Sequence, residues 1–168
     1  NLLIKLSGES LMGDIENVSK DKTKEIAKLM KEVKNLGYNV GIVIGGGNFW
    51  RGRTSENMDR VKADQIGMLA TVMNCIYAAD MFRTVGLKTR IMSPFVCGNV
   101  TELFTKDLAV EALNRQEVVF FAGGTGHPYF STDTGVVLRA IEVEAEVILL
   151  AKAIDGVYDD DPAKNPNA

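Results

Sequence analysis

Short apolar runs alternate with helix-patterned stretches along the chain, and this alternation limits the possible folds more than any other feature of the sequence. Leu2 to Leu6, Val40 to Ile44, Lys88 to Met92, Val118 to Ala122 and Val147 to Leu150 read as strands. Val40 to Ile44 is continuous and largely β-branched, the pattern of a strand buried on both faces. Between the first two runs, Ile26, Leu29, Met30, Val33 and Leu36 recur at helical spacing, and Gly37 ends that helix. A long helix is expected from about Asp59 to Thr84, with Val61, Leu69, Val72, Met73, Ile76 and Phe82 toward the core and Gly86 after it. Thr105 caps a short helix through Leu113, and a last helix is expected from about Thr132 to Ala145. Strands and helices in alternation predict an α/β domain with a mostly parallel sheet.

At 168 residues the chain can bury one substantial core. Its net charge of −3 and pI of about 5.3 offer no attraction to nucleic acid or to an anionic membrane surface. The longest apolar runs are too short to span a bilayer, and no signal-peptide pattern opens the sequence, so a cytoplasmic protein is expected. Cys75 and Cys97 stand outside any C-x-x-C or Cys/His cluster. They read as reduced packing residues, with no zinc site and no disulfide framework.

In a parallel sheet, ligands bind beyond the carboxyl ends of the strands. The loops there are Ser7 to Gly13, Gly45 to Arg53, Ala122 to Asp133 and Ala151 to Pro162. Glycine, hydroxyl and amide residues dominate most of them, and glycine loops leading into helices present N–H groups to anions. One such loop is as easily a tight turn; several at one sheet edge point to phosphate binding. Neither a Walker A loop nor a dinucleotide fingerprint is present.

Individual residues sharpen this. Lys5 interrupts an apolar strand just before Ser7-Gly8. It is either a strand-end lysine reaching water or a cation held where a transferring phosphoryl group needs one. Asp133 opens a helix, as a dipole-favoured carboxylate or as a partner to that chemistry. Arg51 follows a glycine loop and can fork onto a phosphate or stay solvated. Asp64 is an exposed helical acid or a ligand. His127, the single histidine, is a base or a polar contact, and phosphoryl transfer needs little base catalysis.

Taken together, these motifs resemble the bacterial uridylate (UMP) kinases of the amino acid kinase superfamily. The resemblance rests on Lys5-Leu6-Ser7-Gly8-Glu9, Gly45-Gly46-Gly47-Asn48 with Arg51-Gly52, and Asp64 followed by Gly67-Met68-Leu69-Ala70-Thr71-Val72-Met73-Asn74. It continues through Gly124-Thr125-Gly126-His127-Pro128-Tyr129-Phe130-Ser131-Thr132-Asp133 and Asp155-Gly156-Val157-Tyr158 to Asp161-Pro162. It implies a three-layer αβα sandwich and Mg²⁺-dependent transfer from ATP to UMP. Lys5 and Asp133 would be catalytic, with Asp133 orienting Lys5. Lys5, Leu6, Ser7, Gly8, Gly47, Arg51, Lys152, Tyr158 and Asp161 would serve ATP. Gly46, Asp64 and the loop Thr125, Gly126, His127, Pro128, Tyr129, Phe130, Ser131 and Thr132 would serve UMP. No metal ligand is assigned to a protein side chain. The resemblance also implies a homohexamer with GTP activation and UTP inhibition.

The chain departs from the family in three places. His127 replaces the usual Asn, Lys152-Ala153 replaces the usual Thr/Asn-Lys, and Gly13-Asp14-Ile15 makes a shorter loop. Residues 1–168 are expected to form one domain, with C-terminal elements and part of the loop near 13–15 absent from this sequence. Another amino acid kinase would share Lys5 and the glycine loops but not the Thr125 to Asp133 pattern. A non-catalytic relative would not be expected to keep both Lys5 and Asp133.

Overall fold

A computed structural model describes residues 1–13, 17–50 and 57–151, together with Gly156, Asp159, Lys164, Asn165 and Asn167. Among these residues the order is β1 (Leu2–Leu6), a 3-10 turn (Gly8–Leu11), α1 (Lys20–Asn35), β2 (Val40–Ile44) and α2 (Arg60–Thr84). There follow β3 (Thr89–Ser93), β4 (Glu102–Leu103), α3 (Lys106–Asn114), β5 (Val118–Phe121), α4 (Thr132–Glu142) and β6 (Val147–Ala151). All pairings are parallel, in one six-stranded sheet of order β4-β3-β5-β2-β1-β6.

Strand alternation assigns the layers. Leu2, Ile4 and Leu6 of β1, with Val40, Ile42 and Ile44 of β2, pack with residues of α1 and α2. Leu3 and Val43 face the other way, onto Ala109, Ala112 and Leu113 of α3 and Val136 and Ala140 of α4. The fold is the expected αβα sandwich. Thr105 caps α3 as expected, accepting from Leu108 N at 3.3 Å. No helix among the described residues is long and apolar enough to cross a membrane.

The structure corrects the helix faces. On α2, Leu69, Met73 and Ile76 are exposed, and the buried face is Ala63, Ala70, Thr71, Val72, Asn74, Cys75, Ala78, Ala79 and Phe82. The helix lies so close to the sheet and its loops that small residues fill the contact. On α1, Leu29 is also exposed, as is Leu36 just after the helix, whereas Ala27 and Thr23 are buried. The two-residue β4 and the 3-10 turn were not expected from the sequence, and the third strand is shifted one residue along. Cys75 is fully buried and Cys97 partly so, both as free thiols. Burial pushes the Cys75 thiol up to about 12, against a hydrogen bond with the Ile44 backbone that lowers it.

Candidate active site

The loops after β1, β2 and β5 meet at one sheet edge because adjacent parallel strands end together. They enclose an open cleft of about 400 Å³ with Lys5 among its walls. Lys5 sits near the carboxyl end of β1, between β2 and the edge strand β6, in register with Val43 and Leu150. It is 8% exposed. As the second residue after Leu3, it shares Leu3's face, toward α4. Its Nζ lies 3.1 Å from Asp133 Oδ1 in the first turn of α4. Ser131 caps that helix, its Oγ accepting from Thr134 N at 3.3 Å. The helix dipole favours the Asp133 carboxylate where it stands. The ammonium is therefore held in the cleft by an ion pair and is not carried out to solvent.

The glycine loop after β2 is fixed from both sides. Gly45 N donates to Leu6 O at 2.9 Å. Gly46 lies directly on α2, where a Cβ would stand 2.9 Å from both Ala70 Cβ and Gly67 O, so only glycine allows the approach. Trp50 closes the loop: its backbone N donates to Gly46 O at 2.9 Å and its Nε1 to Ala63 O at 2.8 Å. On the β1 side, Ser7 caps the 3-10 turn by accepting from Ser10 N at 3.3 Å, and the Glu9 carboxylate packs beside Gly47.

Asp64 forms the opposite wall. Its Oδ2 accepts from Arg60 Nε at 2.9 Å and from the backbone N of Tyr129 at 2.8 Å. The Arg60 guanidinium also lies over the Tyr129 ring, 5.4 Å from its centroid. Tyr129 adopts φ 70°, a conformation that costs a non-glycine residue about 1 kcal/mol or more. Asp64 thus fastens the loop after β5 to α2. Within that loop, His127 N donates to Thr125 Oγ1 at 3.2 Å, and the His127 residue is exposed.

Of the residues singled out in the sequence, Lys5, Ser7, Gly8, Gly46, Gly47 and Asp64 line the cleft, as do Thr125, His127, Phe130, Ser131 and Thr132. Leu6 is buried in the core, and Tyr129 is 67% exposed at the rim. Gly126 and Pro128 belong to the same loop without lining the cleft. Arg51, Lys152, Tyr158 and Asp161 lie outside the described residues. Glu9, Trp50, Arg60 and Thr71 also line the cleft, and sequence reasoning did not single them out. Arg60 stands four residues before Asp64, a helical pair that spacing alone can flag. Trp50 had only its place next to a glycine loop as a signal.

Two solved structures share this architecture. A UMP kinase from Bacillus anthracis superposes with a TM-score of 0.90 and 36% identity, covering 98% of this chain and 70% of that one. A UMP kinase from Ureaplasma parvum gives a TM-score of 0.90 and 35% identity, covering 99% of this chain and 72% of that one. The sequence model of the amino acid kinase family matches residues 2–168. With a parallel sheet whose strand-end loops gather around a buried, ion-paired lysine, and with that match across its length, the chain belongs to the amino acid kinase family.

Proposed function

We infer that this chain is a nucleoside monophosphate kinase that transfers the terminal phosphoryl group of ATP to UMP, giving ADP and UDP for pyrimidine nucleotide synthesis. The observation that carries the reading is the 3.1 Å Lys5–Asp133 pair, set where the glycine loops after β1 and β2 converge. An anionic phosphate oxygen of UMP attacks the terminal phosphorus of ATP. The new O–P bond forms as the bond to the ADP oxygen breaks, and no proton need move. Catalysis is then alignment plus charge stabilisation. Lys5 offsets charge on the transferring group, Asp133 holds Lys5, and backbone N–H groups of Gly8, Gly46 and Gly47 face the phosphates. Asp64 addresses the UMP ribose, and the Thr125 to Thr132 loop addresses the uracil. By resemblance, Arg51 meets the phosphates, and Lys152, Tyr158 and Asp161 meet the ATP ribose and adenine.

Mg²⁺ fits this cleft. Carried in with ATP, the ion would need only one or two protein carboxylates, and Glu9, which lines the site, would hold it. It would neutralise charge on the phosphates. The exposed stripe Ile66, Leu69, Met73 and Ile76 along α2 supports self-association, and the homohexamer is the family reading of it. GTP activation, UTP inhibition and a cytoplasmic location follow from the family reading. The experiment is ADP formation from ATP with UMP, CMP, carbamate or acetylglutamate as acceptor. Transfer to UMP is expected, and transfer only to a carboxylate or carbamate acceptor would overturn the reading.

A further inference from the structure

The α2 motif Gly67-Met68-Leu69-Ala70-Thr71-Val72-Met73-Asn74 has no part in the chemistry above, although Asp64 one turn earlier does. Its side chains divide sharply. Leu69 and Met73 are each 50% exposed, whereas Thr71 and Asn74 are buried. Asn74 Nδ2 donates to Gly45 O at 2.7 Å and to Asn48 Oδ1 at 2.8 Å. Asn48 Nδ2 returns a bond to Asn74 Oδ1 at 2.9 Å and donates to Asn17 O at 2.8 Å. The two amides thus use all their hydrogens. Gly8 packs against the same pair, where a Cβ would overlap Asn48 Oδ1 and Gly45 O. One turn back, Thr71 Oγ1 accepts from Gly123 N at 2.7 Å and donates to Met68 O at 2.7 Å.

Apolar residues would fill this helix face without the desolvation that buried amides and hydroxyls incur. What the polar groups add is direction. Asn74 reaches the loop after β2 and, through Asn48, the loop after β1; Thr71 reaches the loop after β5. Separated by three residues, they lie on one face of one rigid helix. A displacement of about 1 Å between reacting groups can cost on the order of 10²-fold in rate.

We propose that Thr71 and Asn74 are positioning residues that lock the cleft's loops in register: Asn74, with Asn48, aligns the phosphate-binding loops, and Thr71 aligns the nucleoside-binding loop. This rests on the phosphoryl-transfer reading.

The test is steady-state kinetics on the full chain, with thermal unfolding alongside. Asn74→Ala should lower kcat by roughly 10–100-fold while the KM values for UMP and ATP move by less than about threefold. Thr71→Val should raise the KM for UMP by about tenfold with a smaller effect on kcat, and Thr71→Ser should restore it. The double variant Asn48→Ala/Asn74→Ala should be no slower than Asn74→Ala alone, because the amides act as a unit. If Asn74→Ala does not fold, Asn48→Ala reads the same pair from the loop side. Near-normal kcat in a folded Asn74 or Asn48 variant overturns the proposal. So does a loss explained by fewer active molecules turning over at the normal rate. The wild type is the control for the underlying reading. If it transfers to a different acceptor, the split is measured with that acceptor, and if it transfers to none, both readings fall.

Discussion

Replacing Lys5 with Met separates a catalytic cation from a structural one. Met is close in volume and leaves little cavity, so the change is mainly one of charge. At 3.1 Å from Asp133 the gross attraction is about 5 kcal/mol at an effective dielectric near 20. Burying the ammonium in the sheet costs several kcal/mol in return. The Asp133 side chain is 44% exposed and sits in a helix first turn, which favours its charge, although Oδ1, the oxygen facing Lys5, is itself buried and would lose that contact. These terms nearly cancel, and folding stability should change by roughly 1 kcal/mol, or about 2–4 °C in Tm. On the phosphoryl-transfer reading nothing cancels in the transition state, where the cation would face the transferring group. Loss of one such stabiliser should lower kcat on the order of 10²–10³-fold, with the KM for UMP little changed. The assay is ADP release at saturating UMP and Mg-ATP, paired with a melting curve. A Lys5→Met protein retaining kcat within about threefold would refute the role. A Tm fall above about 10 °C with a parallel activity loss would instead make Lys5 structural.

Asp64→Asn should raise the KM for UMP more than that for ATP, because Asp64 anchors Tyr129 N and, on the proposed reading, addresses the UMP ribose; equal small changes in both would dismiss it as a ligand. Uracil and cytosine reverse donor and acceptor at two ring positions, so kcat/KM should favour UMP over CMP by roughly 10⁴-fold. His127→Asn should widen that margin, since imidazole can switch tautomer; comparable values for UMP and CMP would sink the uridylate assignment. Cys75 should resist alkylation in the native protein while Cys97 reacts, and one modified thiol per chain by mass spectrometry would agree. With its folded pKa raised from 9.0 to about 12, Cys75 should also make stability decline as pH rises above about 9, where only the unfolded thiol ionises; a pH-independent Tm difference from Cys75→Ala across that window would contradict this.

The sheet was largely legible in the sequence because strands buried on both faces need continuous apolar runs, as Leu2–Leu6 and Val40–Ile44 have. Lys5 and the glycine loops were legible for the converse reason: they break those runs at the strand ends. The α2 face was not. Hydrophobic periodicity weights large side chains, and close packing selects Ala70, Ala78 and Ala79, so the pattern pointed to the outer stripe of Leu69 and Met73. Thr71 and Asn74 stood in the motif that carries the family resemblance, but their inward contacts were not legible, since they are polar residues in a helix that reads as apolar. Arg60 was open to recognition through its four-residue spacing from Asp64, whereas Trp50 depends on a contact made by the folded chain, with the Ala63 carbonyl, that no local pattern records.

Lys5 rides on a strand hydrogen-bonded along both edges, by β2 and by β6, whereas the loop carrying Tyr129 is fastened to α2 only through side chains, those of Asp64, Thr71 and Arg60 among the described residues. Local opening follows such differences. Amide exchange should therefore be slow around Lys5 and fast around Tyr129. The protein would then lose its competence in stages on warming. Discrimination among nucleobases would blur first, while the phosphate-aligning half still turned over. Activity on a poor acceptor would pass through a maximum before the sheet gave way.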